Sequence, residues 1–250
     1  MKLKLAKCLL LLAPVLIFAQ AAMAADSLPT FNWTGPYAGI HIGYGLGNGD
    51  TSFSALNANF GDLAPSKLSP NPNGVVGGLQ AGYNYQTGCF VFGIEADFSG
   101  SGMSGNKTAS PVINNAGDAL PGTSLTASEG VNWFGTLRPR VGYTVIPSVL
   151  VYGTGGLAYG NVSYSASTDY RPILGSVYPV SFSSTKVGWA AGGGVEYAVS
   201  KCWTVKAEYL YVDLGDQSAT ANGVPGTGFQ VGYKWQTTAN ILDIGLNYKF

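Results

Sequence analysis

The chain has 250 residues, 13 Lys+Arg against 13 Asp+Glu, and only 10% charged residues, where a typical soluble domain carries roughly 25%. It is 46% hydrophobic with 36 Gly and 15 Tyr. Low charge and many aromatics exclude a disordered chain, the missing basic excess excludes a nucleic-acid binder, and the absence of a triplet glycine period excludes collagen. A strand-rich protein whose surface needs few charges remains, and a membrane β-barrel is such an object.

Residues 1–24 read as a secretory signal. Lys2, Lys4 and Lys7 form its basic start, Leu9 to Ala19 its apolar middle, and Ala22-Met23-Ala24 its small-residue cleavage site. Cutting after Ala24 leaves 10 basic and 13 acidic groups, net −3. No later apolar run approaches the ~20 residues of a spanning helix. If the mature chain, 25–250, enters a membrane it must do so as a closed barrel, because only helices and closed barrels satisfy every backbone group in lipid. Export also permits a disulfide. Cys89 and Cys202 are its candidate partners, with free thiols as the alternative.

From here the pattern has a period of two, the signature of strands. In 37–47, Ala38, Ile40, Ile42, Tyr44 and Leu46 oppose Gly39, His41, Gly43, Gly45 and Gly47. Comparable alternation runs through 75–86, 89–99, 131–143, 187–199, 203–212 and 236–250, while 149–163 is apolar and Gly-rich with ambiguous facing. The fold class is therefore all-β, an eight-stranded antiparallel transmembrane barrel. Joints near 86–88, 144–148 and 200–202 are short, and those at 48–74, 100–130, 164–186 and 213–235 are long. Long–short alternation fits short periplasmic turns and four long external loops.

Aromatics mark the strand ends. Tyr83, Tyr85, Phe90, Tyr143, Tyr197, Trp203, Tyr248 and Phe250 fall at the short-turn end, and Tyr44, Phe98, Trp133, Trp189 and Trp235 near the long-loop end. Two such rings are expected where a barrel crosses the membrane interfaces. The opposite face holds glycine and a set of charges: Glu95, Asp97, Arg138, Arg140, Glu196, Lys206, Glu208 and Asp243. Charges inside a narrow barrel are costly unless paired. They are expected to form an ion-pair network that closes the lumen, with Glu95/Asp97 and Arg138/Arg140 pairing between consecutive strands, and with a selectivity constriction as the alternative.

Several segments together resemble the alphaproteobacterial family of small outer-membrane β-barrel proteins, of the Brucella and Rhizobium major outer-membrane protein type. The matching pieces are Trp33-Thr34-Gly35-Pro36-Tyr37, Phe92 to Phe98, Trp133 to Arg138, Tyr152 to Gly160, Val195-Glu196-Tyr197, Lys206 to Gly215 and Gly245 to Phe250. Asp243 departs from the family's pattern, which is basic near there. The resemblance implies an eight-stranded outer-membrane barrel whose terminal Tyr248-x-Phe250 is read by the barrel-assembly machinery during insertion. The other partners it implies are outer-membrane lipid and lipopolysaccharide.

Catalysis has little to stand on. The single histidine, His41, has no evident Ser or Asp partner set, and no HExxH, CxxC pair or GxSxG occurs. The glycine clusters at 43–47 and 153–156 sit inside strands with no helix to follow, so they fail as phosphate loops. No catalytic, metal or cofactor site is expected, and the chain is expected not to be an enzyme. Three roles stay open: an envelope protein with a closed lumen that displays its loops, a narrow channel for ions or small solutes, and an adhesin acting through 48–74 and 100–130.

Overall fold

The computed structural model describes residues 31–55, 67–113, 117–222 and 230–250. The segment read as a signal peptide, with Ala22 and Ala24, lies outside the described residues. Eight long strands close one antiparallel barrel: β1 (Gly35–Ala55), β2 (Asn73–Thr87), β3 (Phe90–Ala109), β6 (Ser124–Ile146), β7 (Val149–Asp169), β8 (Val177–Ala198), β9 (Trp203–Asn222) and β10 (Gln230–Lys249). Two two-residue strands, β4 (Val112–Ile113) and β5 (Ala119–Leu120), pair with each other in the β3–β6 connection. Each long strand pairs with its neighbour in chain order, and β10 closes on β1 from Tyr37↔Lys249 to Ala55↔Val231.

The turns at one end are tight. Thr87 pairs with Phe90, so Gly88 and Cys89 form a two-residue turn, and Gly88 has φ +59, a region that favours glycine. Pro147 and Ser148 connect β6 to β7 in the same way. At the other end the strands run well beyond the sequence expectation. Much of 48–74, 100–130, 164–186 and 213–235 is strand rather than loop.

The reason is an inversion of polarity within single strands. In β10 the outward residues Leu242, Ile244, Leu246 and Tyr248 are apolar, and the inward ones include Asp243 and Asn247. Toward the loop end the same outward face carries Asn240, Thr238, Gln236 and Lys234, and the inward face carries Ile241, Ala239, Trp235 and Tyr233. β9 changes likewise, from inward Lys206 and Glu208 to inward Leu210, Val212 and Leu214. In β7, Leu157 and Tyr159 face outward below Asn161, Ser163, Ser165 and Ser167. The turn-end half is thus apolar outside and polar inside, as lipid requires. The loop-end half is polar outside with an apolar core, as water requires. An outward face of Ser, Thr and Asn resembles loop composition, which is why the sequence reading ends its strands there.

Three placements differ from expectation. Trp235 is buried inside the barrel and stands outside the girdle, packed on Tyr164 at 5.3 Å and stacked on Tyr233 at 5.7 Å. A strict period of two over 131–143 puts Val131 outward with Trp133 and Asn132 on the opposite face, but a register shift between Val131 and Trp133 turns Val131 inward and leaves Asn132 exposed. The candidate bridge between Cys89 and Cys202 is not formed, and both are free. Their turns, β2–β3 and β8–β9, lie on opposite sides of the ring, with two strands between them in either direction, beyond the ~7 Å Cα separation a disulfide tolerates. The ambiguous segment 149–163 is settled, with Leu150, Tyr152, Ala158 and Val162 inward.

The remaining girdle residues behave as expected. At the turn end, Trp203 packs on Tyr248 at 5.1 Å and Tyr248 on Phe250 at 5.2 Å. At the upper edge Phe98 packs on Trp133 at 5.5 Å.

The inversion makes position along one face of one strand decide the cost of a charge. Ile244→Arg, in the lipid band of β10, should cost about 2–4 kcal/mol. Gln236→Arg, on the same face in the loop-end half, should cost less than about 0.5 kcal/mol. Urea unfolding in lipid vesicles, read by the folded and unfolded gel mobilities, checks both.

Candidate functional site in the barrel lumen

Inside the lipid band the lumen has two layers. The lower is apolar. Phe31 and Trp33, just ahead of β1, fold into the turn-end mouth against Val91, Leu150, Tyr152 and Ala198. Trp33 donates its indole N–H to the Pro147 carbonyl at 3.1 Å, and its backbone N–H bonds Gln86 Oε1 at 2.8 Å. The segment is thereby tied to β2 and to the β6–β7 turn.

Above it lies the charged layer, and all eight residues expected to face inward are buried there. Glu95 of β3 is its centre. One oxygen, Oε1, accepts from Arg138 at 3.1 Å and Lys206 at 2.9 Å. The other, Oε2, accepts from Tyr37 at 2.7 Å and Arg140 at 3.3 Å. The expected pairing between consecutive strands is present, with Glu95 directly opposite Arg138 across β3 and β6. Sequence reasoning missed the reach across the lumen. Arg138 also pairs with Glu208 on β9 at 2.9 Å, and Arg140 with Glu196 on β8 at 2.6 Å. Asp97 accepts from Arg138 at 3.2 Å and from the Thr136 hydroxyl.

Neutral side chains complete the layer. Thr204 and Asn247 donate to Glu196 Oε1 at 2.5 and 2.9 Å, and Gln80 donates to Asn247 at 2.5 Å. Tyr152 donates to Glu208 at 2.8 Å, and its ring lies 4.3 Å from the Arg140 guanidinium. Each contributes the hydrogen bond a buried ion pair needs to offset its desolvation. Glycine makes room for them. A Cβ at Gly82 would sit 2.4 Å from the Tyr37 hydroxyl, and one at Gly194 would sit 2.8 Å from the Tyr152 hydroxyl. The glycine-rich inward face thus accommodates the long side chains of neighbouring strands.

Asp243 stands at the upper edge. It shares a void of about 10 Å³ with His41, Gln80, Asp97, Arg138, Lys206 and Glu208, room for roughly one water. Asp243 Oδ1 and Asp97 Oδ1 have no hydrogen-bond partner. His41 contacts Ser99 Oγ at 3.2 Å. Among the described residues, no group of three or more His, Cys, Asp or Glu is arranged to hold a metal.

One buried acid escaped the sequence reading. Glu129 lies in the loop-end half of β6, inside a stretch that reads as loop, and is 2% exposed. Thr237 donates to its Oε1 at 2.5 Å, Tyr164 bonds Thr237 at 3.0 Å, and Oε2 has no partner. The same period of two would have found it, had 124–131 been read as strand.

The ion-pair network gives a coupled prediction. Arg140→Met leaves Glu196 without a cation and should cost about 3–5 kcal/mol. Adding Glu196→Met should recover much of that loss, because Glu95 keeps Arg138 and Lys206. A double-mutant cycle on urea unfolding measures the coupling.

Comparison with known proteins agrees with this architecture. The model of the outer membrane protein beta-barrel domain family matches residues 10–250. The 31 kDa outer-membrane immunogenic protein of Brucella melitensis biotype 1 is 38% identical over 98% of this chain and 100% of its own length. The 22 kDa outer membrane protein of Rhizobium leguminosarum bv. viciae is 31% identical over 92% of this chain and 83% of its own. Among solved structures, the outer membrane protein OprG from Pseudomonas aeruginosa shares the fold at TM-score 0.53 and 15% identity, covering 88% of this chain and 98% of that one. The chain therefore belongs to the outer membrane protein beta-barrel domain family, and is an outer-membrane barrel of the Brucella and Rhizobium type.

Proposed function

We propose that the protein is a structural component of the outer membrane, without enzymatic activity, whose lumen is sealed to ions and solutes. The observation that carries this reading is the charged layer. Arg138 and Arg140 reach from β6 to carboxylates on β3, β8 and β9. The cations that would line a conducting pore are instead consumed in cross-lumen pairs. The apolar plug of Phe31 and Trp33 supports the same reading from below, and the packed core around Trp235 supports it from above. On this reading the barrel braces the membrane and carries a rigid external stub that displays the connections between strands. Glu95, Asp97, Arg138, Arg140, Glu196, Lys206, Glu208 and Asp243 then act as struts rather than as a selectivity filter.

Refolded protein in planar bilayers tests the seal. Wild type should show no conductance steps, and Arg138→Ala with Arg140→Ala, which opens the layer but leaves the plug and the upper core in place, should show none until residues 31–33 are also removed and Trp235 is also truncated. Conductance by wild type would replace this reading with that of a narrow channel.

Biogenesis follows from the two ends of the chain. Residues 1–24 are removed after Ala24, and the Tyr248–Phe250 end is the assembly signal. Tyr248 on β10 and Phe250 just beyond it face outward, with Phe250 72% exposed, and before β10 is paired with β1 and β9 its edges are free for recognition by strand pairing. Deleting Phe250 should lower the outer-membrane yield several-fold while leaving in vitro refolding into detergent nearly unchanged. Equal yields in cells would remove the role of the end.

A further inference from the structure

We propose that Glu129 is a pH-operated latch on the external half of the lumen: uncharged, it lets the aromatic core above the membrane close, and ionised, it loosens that core while the barrel in the membrane stays intact. The geometry carries the inference. Glu129 faces inward at a level where the outward neighbours are Ser128, Gly130, Ser163 and Ser165, so it stands above the lipid band. Its carboxyl is the end of a relay. Tyr164 donates to the Thr237 hydroxyl, and Thr237 donates to Glu129 Oε1. Tyr164 in turn packs on Trp235 at 5.3 Å and on Phe182 at 5.4 Å. The second oxygen, Oε2, lies buried without a partner against β1, where a Cβ on Gly49 would meet it at 2.2 Å. A neutral acid tolerates that position far better than a carboxylate, which would face β1 with an unsolvated charge.

Among the described residues no cation offsets that charge. On β1 the nearest is Asp50, of like sign, already held by Lys67 at 2.5 Å and Ser69 at 2.7 Å. On β3 Glu129 pairs with Gly105, and Lys107 beyond it is exposed. On β7 the facing group is Tyr164. On β10 it is Thr237, while Lys234 points outward to Asp216 at 2.6 Å. On β6 itself the next inward charge is Arg138, committed to the layer below. Among the described residues no cation pairs with Glu129. Burial accordingly raises its pKa from 4.5 to about 7, with the Asp50 charge adding to the rise and the Thr237 hydrogen bond opposing it.

The sign follows from linkage. An acid whose pKa is higher in the closed state favours closure when protonated. Closure is therefore strongest below the open-state value and is lost as pH rises toward about 7. The membrane half contains no part of the relay and provides an internal control.

Hydrogen exchange on the mature protein in lipid nanodiscs tests the latch, with rates corrected for the intrinsic pH dependence of amide exchange. Between about pH 5 and about pH 8, the opening equilibrium of 124–131 and 231–239 should rise roughly 50–100-fold. Residues 136–143 and 242–248 should stay unchanged. Glu129→Gln should abolish the pH dependence and hold protection at its acid level. Thr237→Val removes the donor that favours the ionised form, and should move the midpoint upward. A carbon-13 carboxyl signal from Glu129 should titrate near 7. Equal corrected protection at both pH values, a Glu129→Gln variant that keeps the pH dependence, or a carboxyl midpoint near 4.5 would each overturn the latch.

Discussion

Closure of the sheet through β1 and β10 is the constraint on which everything else rests. An open edge in lipid would leave a row of backbone donors and acceptors unpaired, at several kcal/mol each. The nineteen-residue register from Tyr37↔Lys249 to Ala55↔Val231 removes that edge along both halves of the barrel. Closing eight strands leaves an interior just wide enough to be filled by side chains. That narrowness imposes the glycine pattern, since a long inward side chain such as Tyr37 or Tyr152 needs a neighbour without a Cβ. It also forces the inward charges within reach of one another, so that an arginine on β6 meets carboxylates on β8 and β9.

The second constraint is the change of solvent along each strand. Backbone pairing is indifferent to whether lipid or water lies outside. Side-chain polarity is not, and the alternation keeps its period of two while exchanging the apolar and polar faces. In β10 the exchange falls between Asn240 and Asp243, within one uninterrupted run of pairing to β1. One closed sheet thus holds two protein types, a membrane barrel below and a water-facing barrel with an apolar core above. Glu129 belongs to the upper type, and its burial in that core is what makes its charge costly.

The fold was legible where lipid was the solvent. Apolar outward residues such as Ile40, Ile42 and Leu79 alternate with glycine and charge, and that contrast locates the strands and the inward set from Glu95 to Asp243. It was illegible where the contrast reverses. Ser163, Ser165 and Ser167 on β7 carry the composition of a loop, yet they are the outer face of a strand whose inner face is Val162, Tyr164 and Ala166. Trp235 was misplaced for the same reason, since an aromatic near a membrane boundary reads as a girdle residue until its face is known. The cross-lumen partners were unreadable for a different reason. Pairing between adjacent strands follows from hairpin order, but contact across a barrel depends on tilt and closure, which no local pattern encodes.

These features divide the lumen into three levels with different chemistry. The bottom is an apolar plug tied by Trp33, the middle a charge layer centred on Glu95, and the top an aromatic core with one acid. The middle level rests on pairing, so Glu95, Asp97, Glu196 and Glu208 are offset by guanidinium and ammonium groups wherever pH leaves those charged. The top level rests on exclusion of charge, since Glu129 has hydroxyl neighbours and, among the described residues, no cation. The two levels therefore differ in what disrupts them. Losing a partner disrupts the middle, and gaining a charge disrupts the top. A barrel built this way separates the packing of its loop-end half from that of its membrane half, because the strands are shared but the forces packing each level are not.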